Sequence, residues 1–248
     1  MPSFHSYVAI GDSFSEGVGD ELPDGRVRGW ADLVAIGLAA ATPPVRYANL
    51  AIRGRLLAPI VSGQLDAAIE LRPELLSING GGNDIMRPRV SIEGVAARLI
   101  DGVRRATDEG IHVLLVSGAN PSRHLPLGAT VQRRGDRLAE AVRSHLPLEG
   151  VTWVDNWADR ELGELRYWSV DKLHLNALGH SRVAGNVLAA LEVPAPPADD
   201  GLPELLRPGT AAYWRQYVLP WVGRRLTGRS SGDTREPKIP TLEPVESR

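Results

Sequence analysis

The sequence predicts a three-layer α/β/α fold built on a five-stranded parallel sheet. Two observations carry this prediction: five short aliphatic runs alternate with segments of helical period, and no internal repeat of about 20–50 residues points to a solenoid instead. The predicted strands span residues 6–10, 45–50, 75–79, 112–117 and 151–155. Such alternation places helices on both faces of a parallel sheet, through right-handed crossovers.

Two of the predicted helices show a clear apolar stripe. The first stripe follows the i, i+3, i+4, i+7 rule and consists of Ile92, Val95, Ala96, Leu99, Ile100 and Val103. The second consists of His180, Val183, Ala184, Val187, Leu188 and Leu191. Ser91 and Asn176 precede the two stripes as predicted N-caps. Because His180 falls on an apolar stripe, we interpret it as a packed core residue and not as a catalytic base.

The composition excludes several classes of function. Among 248 residues, 28 basic side chains balance 30 acidic ones, which argues against nucleic acid or an anionic membrane as a partner. The absence of cysteine excludes disulfides, thiol nucleophiles and cysteine-ligated zinc. The longest apolar run, residues 34–41, is far shorter than the roughly 20 residues of a spanning helix, and residues 1–10 lack a signal-peptide pattern. We therefore expect no integral membrane segment and a cytoplasmic protein.

The alternation of strands and helices stops near residue 192, so the chain divides there. Residues 1–195 are expected to form one domain, which carries the chemistry. Residues 196–227 form an aromatic-rich extension that we expect to pack on the domain, with a lid, or a contact to a second copy or a membrane surface, as open alternatives. Residues 228–248 are rich in Ser, Pro and charge, and we expect them to be disordered.

Small and polar residues follow four of the five predicted strands. Ligands of an open parallel sheet bind beyond the carboxyl ends of its strands, so we expect these residues to meet in one site. The four segments are Gly11-Asp12-Ser13, residues 51–55, residues 80–84 and, a short way after the fifth strand, Asp171-Lys172-Leu173-His174.

These segments contain the parts of a serine-based acyl-transfer site. Ser13 follows a glycine turn, where its hydroxyl can project towards a substrate. Asp171 and His174 are three residues apart, so the carboxylate can hold the imidazole Nδ1–H and leave Nε2 to accept the serine proton. The Asn83 amide and the Gly54 N–H can donate to an oxyanion. For Ser13 alone, a phosphate-binding turn is the alternative.

In order and spacing, the four segments resemble the four sequence blocks of the SGNH (GDSL-type) hydrolases. The resemblance spans roughly residues 6 to 190 and rests on Gly11-Asp12-Ser13, the segment from Asn49 to Gly54, Gly81-Gly82-Asn83-Asp84 and Asp171-Lys172-Leu173-His174. It implies a flavodoxin-like sandwich, a Ser13–His174–Asp171 triad, and an oxyanion hole formed by the N–H groups of Ser13 and Gly54 and the Asn83 side chain. It also implies hydrolysis of esters, thioesters or O-acetylated sugars with no metal and no cofactor.

Two further residues are candidates for substrate binding. Arg53 and Arg55 flank Gly54 where the family often has a small polar residue before its glycine. Arg53 would favour an acidic or phosphate-bearing substrate, and pairing with a nearby acid is the alternative. Trp168, three residues before Asp171, is a candidate for the pocket wall, with core packing as the alternative.

The sequence therefore predicts a metal-independent serine esterase that cleaves short-chain carboxylic esters, with carbohydrate O-acetyl esters as a leading specific form. A thioesterase or a lysophospholipase with the same site is the enzyme alternative. A flavodoxin-like module that binds phosphate or a flavin is the alternative from another class. The expected partner is a small ester or an acylated sugar, and the oligomeric state stays open.

Overall fold

Among the described residues, the central sheet has six strands, one more than predicted. The computed structural model describes residues 3–195, 212, 214–219 and 232–246. The strands are β1 (Ser6–Ile10), β2 (Arg46–Asn49), β3 (Leu75–Ile78), β4 (His112–Val116), β5 (Val151–Val154) and β6 (Ile239–Pro244). Strands β1 to β5 are parallel and lie in the order β2-β1-β3-β4-β5, which is the flavodoxin-like order.

Helices cover both faces of this sheet and complete the three layers. They are α1 (Ser13–Glu16), α2 (Trp30–Ala41), α3 (Leu57–Pro59), α4 (Leu65–Glu70), α5 (Gly82–Ile85), α6 (Ile92–Asp108), α7 (Gly128–Arg143) and α8 (Ala177–Ala190). A π-helical turn, Ile60–Gln64, joins α3 to α4. Helices α2 and α8 pack on one face, and α4, α6 and α7 pack on the other.

Both predicted apolar stripes are confirmed. The six stripe residues of α6 are buried, and so are the six that begin with His180. The predicted caps are present, because Ser91 Oγ accepts the Gly94 N–H at 3.1 Å and Asn176 Oδ1 accepts the Gly179 N–H at 3.0 Å. These helices hold the sheet between two apolar layers, and the central strands β1 and β3 are accordingly buried on both faces.

The sixth strand corrects the prediction of disorder within residues 228–248, of which the structure describes 232–246. Strand β6 pairs antiparallel with β2 at the edge of the sheet, where Val245 N–H donates to Val45 O at 2.9 Å and Arg46 Nη2 donates to Leu242 O at 2.6 Å. The segment contains Pro240 and Pro244, which we interpreted as signs of disorder. Proline is tolerated in an edge strand because one side of such a strand has no neighbour to receive its N–H groups.

The aromatic-rich extension, residues 196–227, lies mostly outside the described residues. Within it the structure describes a π-helical turn, Trp214–Val218, in which Tyr217 is half-buried. Packing of the extension on the domain therefore stays a prediction, as does the division of the chain near residue 195.

Candidate active site

Ser13 lies at the point where β1 ends and α1 begins. Asp12 caps α1, because its Oδ1 accepts the Phe14 N–H at 3.1 Å. The preceding Gly11 has a positive φ of 151° and is clamped by the Gln64 amide, which accepts the Gly11 N–H at 2.7 Å and donates to Gly11 O at 3.0 Å. This turn fixes the serine at the carboxyl edge of the sheet, where ligands of such folds bind.

The structure brings Ser13, His174 and Asp171 into one hydrogen-bonded chain. The Ser13 Oγ lies 3.1 Å from His174 Nε2, and His174 Nδ1 lies 2.6 Å from Asp171 Oδ2. The other carboxylate oxygen of Asp171 accepts from the N–H groups of Leu173 and His174, at 2.9 and 3.0 Å, and from the Ser169 hydroxyl at 2.6 Å. These bonds fix the carboxylate, which in turn fixes the plane of the imidazole.

Asp171 is ionised throughout the neutral range. Burial raises the pKa of this carboxyl, but the hydrogen bonds and the charge of His174, with the bond from Ser169, outweigh that effect and hold the pKa well below its usual range. An ionised carboxylate accepts only, so His174 Nδ1 carries the proton in the bond to Asp171. Nε2 of a neutral ring is then the acceptor for the Ser13 hydroxyl.

Two backbone N–H groups of residues that line the cavity over Ser13 have no protein acceptor among the described residues. Within the described part of the chain, neither the Ser13 N–H nor the Gly54 N–H donates to another protein group. Gly54 has a φ of 77°, a left-handed conformation that favours glycine. Asn83 differs, because its Nδ2 donates to Asp12 Oδ2 at 3.1 Å and to Arg55 O at 3.0 Å. Donation from Asn83 to an oxyanion requires that it share or exchange one of these bonds.

Asp12 links the serine turn to Asn83 from a buried position. Burial raises the pKa of the Asp12 carboxyl to about 6, although the Phe14 N–H and the Asn83 amide favour its ionised form. Asp84 has a similar bridging contact, because its Oδ2 accepts the Leu57 N–H at 2.9 Å. The two carboxylates therefore tie together the loops after β1, β2 and β3.

Arg53 is held by Glu16, the last residue of α1. Glu16 Oε2 accepts the Arg53 backbone N–H at 2.6 Å, and Oε1 accepts from the guanidinium Nε at 2.8 Å. Glu16 is buried, and Arg53 also borders the cavity over Ser13. This geometry favours the interpretation of Arg53 as the partner of an acid, and binding of substrate by Arg53 stays a prediction.

Trp168 is both a core residue and part of the cavity wall. Its side chain is buried, and its indole Nε1 donates to Leu162 O at 2.7 Å. Its ring centroid lies 5.8 Å from that of His124, and the residue borders the same cavity as Ser13 and His174. Both interpretations made for Trp168, core packing and the cavity wall, thus apply to it, and binding of substrate by Trp168 stays a prediction.

A cavity of about 390 Å³ opens over the serine. Its polar side carries the predicted triad together with Gly54 and Asn83. The apolar part of its lining comes from α5, α7 and β5 and from residues next to them: Ile85, Met86, Val131, Leu138, Trp153 and Trp157. A substrate placed here meets a polar reaction centre and an apolar wall.

Several supporting residues escaped the sequence analysis. Glu16 and Gln64 hold the turns around Ser13, but a single acidic or amide side chain carries no signal of its own in a sequence. His180, by contrast, is buried as its place on the apolar stripe predicts, and it is also hydrogen-bonded: its Nδ1 accepts the Trp30 N–H at 3.2 Å and its Nε2 faces Val18 O at 3.2 Å, so it joins α8 to the loops that support the site. Burial lowers the pKa of His180 to about 4.

Neither a metal cluster nor a membrane-spanning helix occurs among the described residues. No three His, Asp or Glu side chains within residues 3–195, 214–219 and 232–246 are grouped so that they could hold a metal ion. Over the same part of the chain, every helix is too short or too polar to cross a bilayer.

Residues 9–182 match the family model of the GDSL-like Lipase/Acylhydrolase family. The chain belongs to this family. It is therefore an ester-hydrolysing serine hydrolase, and the alternative of a flavin-binding or phosphate-binding module no longer stands. The matched range spans the positions of the predicted triad and oxyanion residues of this GDSL hydrolase.

Solved structures share the fold of this GDSL hydrolase at low sequence identity. The lipase Lip_vut3 from a goat rumen metagenome is 16% identical, with a TM-score of 0.63 over 75% of this chain and 96% of that one. TesA is 25% identical, with a TM-score of 0.61 over 75% and 98%. Axe2, an acetylxylan esterase from Geobacillus stearothermophilus, is 20% identical, with a TM-score of 0.59 over 75% and 94%. No curated protein matches the chain in sequence.

Proposed function

We propose that this GDSL hydrolase is a serine esterase for short-chain carboxylic esters, with Ser13 as nucleophile, His174 as general base and acid, and Asp171 as the group that orients His174. The observation that carries the proposal is the chain of hydrogen bonds from Ser13 through His174 to Asp171 at the floor of a cavity. The chemistry runs on these side chains, so it needs no metal and no cofactor.

Acylation begins when the ester carbonyl enters the cavity above Ser13. The Ser13 Oγ attacks the carbonyl carbon while its proton moves to His174 Nε2, and the carbonyl oxygen becomes an oxyanion. The N–H groups of Ser13 and Gly54 stabilise that oxyanion. The Asn83 amide adds a third donor when one of its N–H groups, bonded to Asp12 or Arg55 in the structure, donates to the oxyanion. His174 then gives its proton to the leaving alkoxide, and an acyl-enzyme forms as the alcohol departs.

Deacylation repeats the same steps with water as the nucleophile. His174 Nε2 takes a proton from the water, whose oxygen attacks the acyl carbon, and the second tetrahedral intermediate collapses as His174 returns the proton to Ser13 Oγ. Ionised Asp171 stabilises the imidazolium in both halves of the reaction because it accepts the Nδ1–H. The products are a carboxylic acid, an alcohol and the free enzyme.

The cavity suits a small acyl group or an acylated sugar. Its apolar wall also favours the alternative function, a thioesterase or a lysophospholipase. Acetyl groups of carbohydrates are the leading specific substrate, a choice that agrees in kind with the acetylxylan esterase activity given for Axe2. The apolar side, which includes Ile85, Leu138 and Trp157, offers room for a longer acyl chain. A thioesterase or a lysophospholipase would use that room.

Replacement of Ser13 tests the proposed nucleophile. In Ser13→Ala, hydrolysis of p-nitrophenyl acetate should fall by several orders of magnitude while the circular dichroism spectrum and the Tm stay close to those of the wild type. Ser122→Ala is a suitable control, because Ser122 lies in the 3-10 turn Ser122–His124 and bonds to Gln132. A Ser13→Ala enzyme that turns over at the wild-type rate would rule out the assignment.

A panel of substrates separates the specific forms. The proposal expects the highest kcat/KM on acetyl and butyryl p-nitrophenyl esters and measurable release of acetate from O-acetylated xylo-oligosaccharides. Maximal activity on acyl-CoA thioesters would favour a thioesterase, and maximal activity on lysophosphatidylcholine would favour a lysophospholipase, if activity on acetyl esters is weak. The assignment of the triad does not depend on which of these substrates has the highest kcat/KM.

A further inference from the structure

Residues 232–246, which we call the C-terminal strap, lie against the loops that carry Ser13 and Gly54. The strap lies beyond residues 9–182, the part of the chain that matches the family model. It includes β6 and the residues just before that strand. The strap therefore adds contacts to the predicted site from outside the matched part of the chain.

Lys238 connects the strap to the helix that begins with Ser13. Its ammonium donates to three acceptors: Glu16 O at 2.7 Å, Val27 O at 3.1 Å and Asp32 Oδ2 at 2.6 Å. Only 18% of the Lys238 side chain is exposed, and the three contacts use all three protons of the ammonium. Glu16 is the last residue of α1, so Lys238 places a positive charge at the carboxyl end of the nucleophile helix.

Gly232 contacts the loop that carries Gly54. It is buried, and a Cβ built on it would lie 2.1 Å from Arg53 O and 2.7 Å from Ile52 Cγ2. The carbonyl of Arg53 belongs to the peptide whose N–H is that of Gly54. A side chain at position 232 would consequently press on the same peptide plane that presents the predicted oxyanion donor.

Glu16 joins the two contacts into one network. Its carboxylate receives the Arg53 backbone N–H at 2.6 Å, and the Arg235 guanidinium lies 3.8 Å from the same carboxylate. Strand β6 pairs with β2, and β2 leads directly into the loop that carries Gly54. The strap thus meets this part of the chain at two places, β2 just before the loop and residues 52–53 within it.

We propose that the C-terminal strap is a positioning element for the oxyanion hole, in which Lys238 and Gly232 act as positioning residues for the N–H groups of Ser13 and Gly54. The inference rests on the proposed function, because it assigns these N–H groups to the oxyanion. Neither residue touches the substrate. Each acts through the backbone of α1 or of the 50–55 loop.

Gly232→Ala tests the contact with the oxyanion loop in the full-length chain. The added methyl group should tilt the Arg53–Gly54 peptide and lower kcat on p-nitrophenyl acetate about tenfold, while KM stays within about twofold of the wild-type value. This loss is smaller than the roughly 10²–10³-fold effect of losing one oxyanion donor, because the donor is displaced and not removed. Gly185→Ala is the matched control, because a Cβ at position 185 meets nothing within 4 Å.

Hydrogen–deuterium exchange provides a readout that needs no substrate. Amides of residues 50–56 should exchange faster in Gly232→Ala than in the wild type, while those of α6 should be unchanged. A folded Gly232→Ala protein with wild-type kcat and wild-type exchange at residues 50–56 would overturn the inference. If the wild type hydrolyses no ester, the proposed function fails, and the exchange data alone still decide whether the strap positions the loop.

A second pair of variants tests Lys238 in case Gly232→Ala fails to fold. Asp32→Asn retains the contact of Lys238 with Glu16 O, whereas Asp32→Asn combined with Lys238→Met removes it without leaving a buried unpaired charge. The double variant should have a kcat several-fold below that of Asp32→Asn, with a similar KM, and a Tm equal to or above it, because Asp32→Asn alone leaves the Lys238 ammonium without its carboxylate partner. Equal kcat values for the two proteins would contradict a positioning role for Lys238.

Discussion

The two halves of the predicted site are supported in different ways. The acid–base half consists of Asp171 and His174, which lie three residues apart and are held by hydrogen bonds within the same loop. The oxyanion half is assembled from distant segments, because the Gly54 loop is held by Glu16 from α1 and by Gly232 from the strap. One half is local in sequence, and the other depends on the whole fold.

This difference teaches where substitutions should act. A change in the local half removes a chemical group from the reaction, so its effect on the rate should be large. A change in the contacts around the oxyanion half moves a donor that is still present, so its effect should be smaller and should fall on kcat more than on KM. The predictions below test this ranking.

Asp171→Asn should have the largest effect of the supporting residues. The amide cannot hold the Nδ1–H tautomer of His174 as the carboxylate does, so kcat should fall by roughly 10⁴ with little change in fold. Steady-state kinetics on p-nitrophenyl acetate measure this loss, and Asp108→Asn, on the exposed side of α6, is the control. A loss of less than about tenfold would show that the orienting role belongs to another group.

Asn83→Ala should have an intermediate effect. It removes one predicted oxyanion donor and also the bonds to Asp12 and Arg55, so kcat should fall roughly 10²–10³-fold while KM changes little. A wild-type kcat in this variant would mean that Asn83 keeps its bonds to Asp12 and Arg55 during the wild-type reaction. The oxyanion would then be held by the N–H groups of Ser13 and Gly54 alone.

Glu16→Gln should have a smaller effect on activity than Asp171→Asn or Asn83→Ala. The amide retains one acceptor for the Arg53 backbone N–H but loses the charge that attracts the guanidinium. We expect kcat to fall by roughly tenfold and stability to fall by about 1–3 kcal/mol, measured by kinetics and urea unfolding. Glu149→Gln, at an exposed position, should match the wild type in both. A Glu16→Gln enzyme with an intact rate would show that the strap alone positions the loop.

The buried side chains of His180 and Asp12 should change the free energy of unfolding in opposite directions as the pH falls. His180 has a folded pKa of about 4 against about 6.5 for an unfolded histidine, so the unfolded chain binds the proton first and stability is lost as the pH falls from about 6.5 towards 4. Asp12 has a folded pKa of about 6, above its unfolded value of about 3.9, so it adds stability over nearly the same interval as it takes up a proton.

Each of these groups contributes about 3 kcal/mol at most, and in the wild type the two contributions largely cancel. Urea unfolding between pH 7 and pH 4 should therefore show that Asp12→Asn loses stability with falling pH more steeply than the wild type. His180→Gln should lose it less steeply, or gain it. Parallel profiles for the three proteins would contradict the assigned burial effects.

The fold was predictable from the sequence wherever the signal was periodic. The α6 stripe, the Ser91 cap and the five parallel strands follow from spacing alone, and Ser13, Asp171 and His174 follow from short motifs. The contact between Lys238 and Glu16 joins residues 222 positions apart, and no local pattern predicts such a pair. Strand β6 was missed because its prolines favour disorder locally, whereas the free edge of β2 stabilises it in the folded protein.

The central claim is that Ser13 is the nucleophile of a serine esterase. The most direct measurement is peptide mass spectrometry after treatment with a fluorophosphonate, which phosphonylates an activated serine and releases fluoride. We predict one adduct per chain, on the peptide that contains Ser13, none in Ser13→Ala, and strongly slowed labelling in His174→Gln. An adduct at another serine, or equal labelling of the wild type and Ser13→Ala, would contradict the account.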